Sequence, residues 1–442
     1  MDQQLYPGPV TFLEKTYALS KVIHIIQYPN PAKQKTEKLR LLDAIALLLV
    51  TEAKSNAAVS LERRTGEVVF KWAKNNAVTS EDQDHLSHLI DIATSNDPNS
   101  DRVEGLLMGV MKTCRHAVFS RIENLKIAIK KNGSLLSNVS NTPNQVGWRQ
   151  YLDKFLAEYF DTKSGVDLVL AYFRCFPELE VDALSADQLG ILVMVASVIG
   201  SYDQIEEVLR DPTIMKRLRL VGDYLGACER VVESVDRYQE LKIRFVAVDV
   251  ATQTKTRLPG DCSVIFNRIA TECGLDATID ASQLKTAYPG AEIPGPETRT
   301  SPEGQIMVTS SIHAECSVAL HMLSIRWLRK NIEIGTSEGS CWFCIQYLGL
   351  LQKKYVVTLP TAHSHGNTQP NWMLPPTSLE LLEIHERLGR KVTEELEGII
   401  KHTIRRKFGD SEEGIDEHSG EEVRVGMHGY DFYCVGMGAG TA

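Results

Sequence analysis

No stretch of this chain is apolar for the roughly 18 to 20 residues that a membrane span requires. The best candidate, residues 39–50, carries Arg40 and Asp43. The opening MDQQLYPGPV has neither the basic start nor the apolar centre of a secretory signal. Both absences lead to the expectation of an intracellular protein, cytoplasmic or nuclear, with no membrane partner. Cysteine is sparse, nine residues scattered over 442. That odd, dilute set excludes the disulfide framework of a small secreted domain. Only Cys341 and Cys344 stand close together. Positive charge is short as well: 48 Lys and Arg against 57 Asp and Glu give a formal net charge of −9. Duplex-binding proteins draw much of their affinity from phosphate neutralisation, so the balance weighs against that class. The richest basic stretch, from Arg387 to Lys407, is interrupted by Glu394, Glu395 and Glu397 and reads as a solvated helix face.

What is present suits a globular protein with a sizeable core, 43% hydrophobic and 24% charged. The length predicts two or three domains. Through residue 240 the chain reads mainly as helix. Leu39, Leu42, Ala46 and Leu49 recur at helical spacing within 36–53. AAVSLERRTGEVVFKWA reads as a hairpin turning at Arg64-Thr65-Gly66. Helices are predicted over 80–94, 101–131, 148–160, 166–176, 185–199, 203–218 and 223–238, with a polar linker over 132–147. Nothing in this region implies chemistry. Its expected role is a scaffold, a surface for a protein partner, or self-association. From residue 241 strands and helices alternate. KIRFVAVDV reads as a strand or as a continuing helix, and QIMVTS, IEIGTS and YVVTLPT read as strands. HAECSVALHMLSIRWLRK, CWFCIQYLGLLQKK and a long segment beginning SLELLEIHERLG read as helices. Residues 430–435 read as a last strand. This alternation predicts a layered α/β domain with parallel pairing over 241–442.

Two short runs carry the chemistry. His313-Ala314-Glu315 opens one helix, and Cys341-Trp342-Phe343-Cys344 opens another 28 positions on. Cysteines three apart share a helix face, and a helix N-terminus favours thiolates. Two thiolates and an imidazole are good zinc ligands, and three protein ligands leave a fourth position for water, as catalytic zinc requires. A zinc ion lowers the pKa of its water toward ~7. Attack on an amidine-type carbon then needs a proton carried to the ring nitrogen and on to the leaving ammonia. Glu315 is placed to carry it. Ala314 is small enough to let a planar ring approach. The H-x-E and C-x-x-C pair matches the zinc deaminase signature.

On these residues the chain resembles the cytidine deaminase-like superfamily from about 305 to 407. Its SIHAEC, IGTSEGSCWFC and YVVTLPT runs most resemble the OTT-type deaminase-like family of fungal proteins, grouped with toxin-type nucleic-acid deaminases. The resemblance implies a three-layer α-β-α domain with a mixed sheet, following the helical region 1–240. It implies one Zn2+ per chain on His313, Cys341 and Cys344, with Glu315 as the acid and base. The superfamily usually has proline before the first cysteine; here Ser340 stands there and can cap the helix through its hydroxyl. His363, His365 and Trp372, in the loop after YVVTLPT, can stack on or hydrogen-bond a base, or simply pack that loop. Trp342 and Phe343 read as core. The implied substrate is a cytosine- or adenine-type base, in single-stranded DNA or RNA or as a free nucleoside. Two rival readings stand beside it, a thiol redox pair and a catalytically silent, zinc-stabilised interaction protein.

Overall fold

The computed structural model describes residues 9–22, 35–131, 180–201, 211–248, 253–288, 305–325, 331–361 and 368–408, save 54, 239, 276, 277 and 377. The predicted helices at 148–160 and 166–176, the linker and the strand at 430–435 lie outside them.

The chain opens with α1 (Phe12–Val22) and α2 (Glu37–Leu48). Thr36 caps α2 by accepting from the Leu39 N–H at 3.0 Å. The predicted hairpin forms as β1 (Ala57–Arg64) and β2 (Glu67–Lys74), paired from Ala57↔Lys74 to Arg64↔Glu67. Gly66 closes its turn at φ +73°, a conformation open to a residue without Cβ. α3 (Ser80–Ala93) starts on a reciprocal capping box between Thr79 and Asp82.

The helix expected over 101–131 is two, α4 (Asn99–Thr113) and α5 (Arg115–Lys131). They part at Cys114, whose buried sulfur lies 3.4 Å from the Leu48 carbonyl. α6 (Ala186–Ser201) follows the sequence reading closely. The last two predicted helices of this half are joined differently. α7 (Pro212–Val235) runs unbroken through Gly222. That glycine is a point of close approach: a Cβ there would stand 2.5 Å from the Ser197 backbone on α6.

β3 (Lys242–Ala247), β4 (Thr254–Pro259), α8 (Cys262–Glu272), α9 (Ala281–Ala287), β5 (Gln305–Ser310) and α10 (Ala314–Ser324) come next. They lead to β6 (Ile334–Thr336), α11 (Trp342–Tyr355) and α12 (Leu382–Phe408). YVVTLPT is less than the strand it resembles, because Tyr355 still belongs to α11 and Val356 turns left-handed at φ 53°. Its remainder keeps the expected parallel pairing through bridges Asn331↔Thr358 and Ile334↔Thr361.

The main sheet has the order β3-β2-β1-β6, with β2 and β3 parallel and the other neighbours antiparallel. It is the mixed sheet of an α/β protein. Two of its strands precede residue 240 and two follow it. β4 and β5 pair separately. Alternation along the hairpin separates two cores. Val59, Leu61, Val68, Phe70 and Trp72 join the apolar cluster built with α2, α4 and α7. Ala58 and Ala73, paired across the hairpin, join the cluster on the other face with α1, α8, α10, α11 and α12. Small residues on that face let α10 lie close to the sheet. No helix among the described residues is long and apolar enough to cross a membrane.

Candidate metal centre

His313 follows β5 as the N-cap residue of α10, with extended backbone at φ −70°, ψ 146°. Its imidazole does not cap. The capping bond comes from the far end of β2, where Asn75 Oδ1 accepts the Ala314 N–H at 2.8 Å. Cys341 is likewise the N-cap residue of α11 without capping through its sulfur, and Cys344 lies in the first turn. Both helix starts therefore free their side chains to face each other. His313 Nδ1 lies 3.5 Å from Cys341 Sγ and 3.3 Å from Cys344 Sγ, and the two sulfurs are 3.4 Å apart. All three residues are buried.

Those separations fit one ion. Bonds of about 2.0 Å to nitrogen and 2.3 Å to sulfur at tetrahedral angles separate N from S by about 3.5 Å and S from S by about 3.8 Å. The donor set, one imidazole and two thiols within 4.8 Å of one another, can hold a metal ion.

Burial pushes both thiols well above their ordinary range. It outweighs the helix-terminus effect that the sequence suggested, because a dry site penalises a thiolate strongly. Burial also opposes charge on His313, but the neighbouring Cys341 and Glu315 hold its pKa above the ordinary value. A cation at this point supplies the charge that two sulfurs need to ionise.

Glu315 lies buried in the first turn of α10, close enough for its charge to act on both His313 and Cys344. Ala314 and Ser340 are buried at the two helix starts. Trp372 is placed differently from a base-stacking residue. It is fully buried, its Nε1–H donates to Cys344 Sγ at 3.2 Å, and Phe12, Phe343 and Tyr347 surround its ring. Among the described residues its ring is enclosed, which fits the packing reading, and its N–H supports the Cys344 sulfur. Trp342 and Phe343 are core, as read. His363 and His365 lie outside the described residues.

Sequence reasoning missed two neighbours of this site. Asn75 arrives from 239 positions away, and no local pattern links it to Ala314. Cys316, one turn into α10 and fully buried, hydrogen-bonds with Cys344; its place in SIHAEC was the available signal.

A mixed α/β fold with a buried His-Cys-Cys group across two helix starts has the donor arrangement of the zinc deaminase signature. Residues 312–376 match the family model described as OTT_1508-like deaminase. The match includes His313, Glu315, Cys341 and Cys344 but stops short of β1, β2 and Asn75. No curated protein and no solved structure matches the chain.

Proposed function

We propose that this protein is a zinc-dependent hydrolytic deaminase of a cytosine- or adenine-type base. The observation that carries the reading is the spacing of His313 Nδ1, Cys341 Sγ and Cys344 Sγ, 3.3 to 3.5 Å apart, beside the Glu315 carboxylate. Zinc held by these three residues supplies the Lewis acidity that lets water lose a proton near neutral pH. The chain's own contribution is proton transfer and exclusion of bulk water. Glu315 takes a proton from the attacking water and passes it to the ring nitrogen. It then moves the proton of the added hydroxyl to the amino group, which leaves as ammonia as the carbonyl forms at the attacked carbon. Trp372 and the buried aromatic rings around it keep Cys344 fixed and dry.

The preferred substrate is a base in single-stranded DNA or RNA, supported by the resemblance of the motif runs to nucleic-acid deaminases. A net charge of −9 favours the second reading, a free nucleoside. Metal analysis of the purified protein, joined to ammonia release from nucleosides, single-stranded DNA and RNA, tests both. Glu315→Gln is expected to keep about one zinc per chain and lose turnover. Persistent turnover removes the mechanism. A chain that holds zinc yet deaminates nothing favours the silent interaction protein. A protein without zinc that shows a defined dithiol potential favours the redox reading.

A further inference from the structure

Resting on the deaminase reading, we propose that Asn56 and Thr336 form a polar shelf beside the metal centre. The shelf recognises an uncharged N–H or O–H donor of the substrate together with an adjacent acceptor.

The placement follows from the sheet. Ala58 pairs with Ala73 on one side and with Thr336 on the other. Ala58, Ala73 and Ile334 lie in the apolar cluster that contains Ala314, Cys341 and Cys344. Between Ile334 and Thr336, Gly335 faces the opposite way, where a Cβ would stand 2.2 Å from the Leu42 backbone of α2. Thr336 therefore points to the α10 side. By the same alternation Asn56 shares the face of Ala58. Its carbonyl accepts the Asn75 N–H at 2.9 Å, and Asn75 in turn reaches the Ala314 N–H at 2.8 Å. Asn56, Asn75 and Thr336 thus gather at one end of the sheet, beneath the start of the helix that carries His313 and Glu315.

Asn56 Oδ1 and Thr336 Oγ1 are both buried without a hydrogen-bond partner among the described residues. Thr336 as a whole is 7% exposed. Folded proteins rarely leave buried polar atoms unpaired, and those that persist call for an explanation. A ligand supplies one here. Asn56 Oδ1 as placed accepts from N–H or O–H, so it pairs with an amino group or hydroxyl and not with an oxygen of a phosphate or carboxylate. The Thr336 hydroxyl can donate to an acceptor next to that donor. This chemistry belongs to a base edge or to a sugar, and not to the phosphate backbone.

Thr336→Val and Asn56→Leu keep the approximate shape and remove the polar atoms. Because those atoms are unpaired in the protein alone, neither variant is expected to lower the melting temperature or the zinc content. Both are expected to lower kcat/KM by about tenfold or more, the worth of a substrate hydrogen bond. The probes are cytosine, adenine, cytidine, adenosine and a mixed-sequence single-stranded oligonucleotide. A loss seen already with the free base assigns the shelf to the base edge; one confined to nucleosides and the oligonucleotide assigns it to the sugar. Wild-type kcat/KM in both variants overturns the shelf and leaves the deaminase reading standing. So does a fall in melting temperature with unchanged turnover per bound zinc. Absence of turnover of every probe by the unaltered protein overturns both.

Discussion

At the start of α10 the capping position is occupied by His313, whose imidazole turns toward the two sulfurs, so the first helical N–H falls to another residue. Asn75 takes it from across the sheet. Loss of such a cap typically costs about 1 kcal/mol. Asn75→Ala is expected to show that loss in denaturant unfolding and to weaken zinc retention, since His313 and Glu315 ride on the freed turn. Asn75→Asp keeps an acceptor, and a carboxylate suits a helix N-terminus, so it should restore both. If Asp fails to rescue metal retention, the cap is not what positions the ligands. The ligands themselves give a sharper expectation. His313→Ala or Cys341→Ser should remove the metal and destabilise the surrounding fold. Metal content still near one per chain in either variant, read by mass spectrometry, places the ion elsewhere.

Among the elements, α2 and β6 meet where Gly335 has no room for a Cβ against Leu42. The contact is completed by the Thr336 N–H donating to Asp43 Oδ1 at 3.0 Å. Gly335→Ala must push α2 off the strand. It is expected to cost at least the upper end of the about 1–3 kcal/mol usual for overpacking, measured by urea unfolding. A second junction ties β2 to α3. The Lys74 ammonium sits 2.7 Å from Asp82 Oδ1, with both side chains buried. Burial opposes the Asp82 charge, but hydrogen bonds from Lys74 and from Thr79 hold its pKa below the ordinary value. A carboxylate whose folded pKa is lowered stabilises the fold above its unfolded value of about 3.9. That stability is lost as pH falls from there through the lowered folded value. Asp82→Asn should destabilise the protein at neutral pH and flatten its stability profile below about pH 4. An unchanged acid limb would show that the pair does not govern it.

Across the whole molecule, the site is not confined to the half that carries its motifs. β1 and β2, from before residue 240, occupy the inner positions of the sheet with β3 and β6 at its ends. α1 packs on α8 and α12. The fragment 241–442 lacks the hairpin, the Asn75 cap and α2. It is expected to show little cooperative unfolding and less than stoichiometric zinc, by circular dichroism and metal analysis. A stably folded, zinc-replete fragment would show that the hairpin is dispensable.

Much of this was legible along the chain. His313, Glu315, Cys341 and Cys344 were readable because the two runs fix ligand types on two helix starts at local spacing. The hairpin was readable because its alternation and turn are local as well. Helix ends were less so: Gly222 looks like a break and is a contact, and Cys114 looks continuous and is a corner, since packing against distant segments decides both. Trp372 read equally as a base contact or as packing, because sequence cannot tell a ring facing a ligand from one packed behind the Cys344 sulfur. By itself, then, the sequence determined the His-Cys-Cys donor set, the carboxylate of Glu315 beside it and the alternating elements, all consequences of residues within a turn or two of one another. Only the tertiary structure decided that a hairpin from the first quarter of the chain completes the sheet and that Asn75 holds the metal helix. Contacts across 239 positions leave no periodic trace, because burial and hydrogen-bond satisfaction act in space and not along the chain.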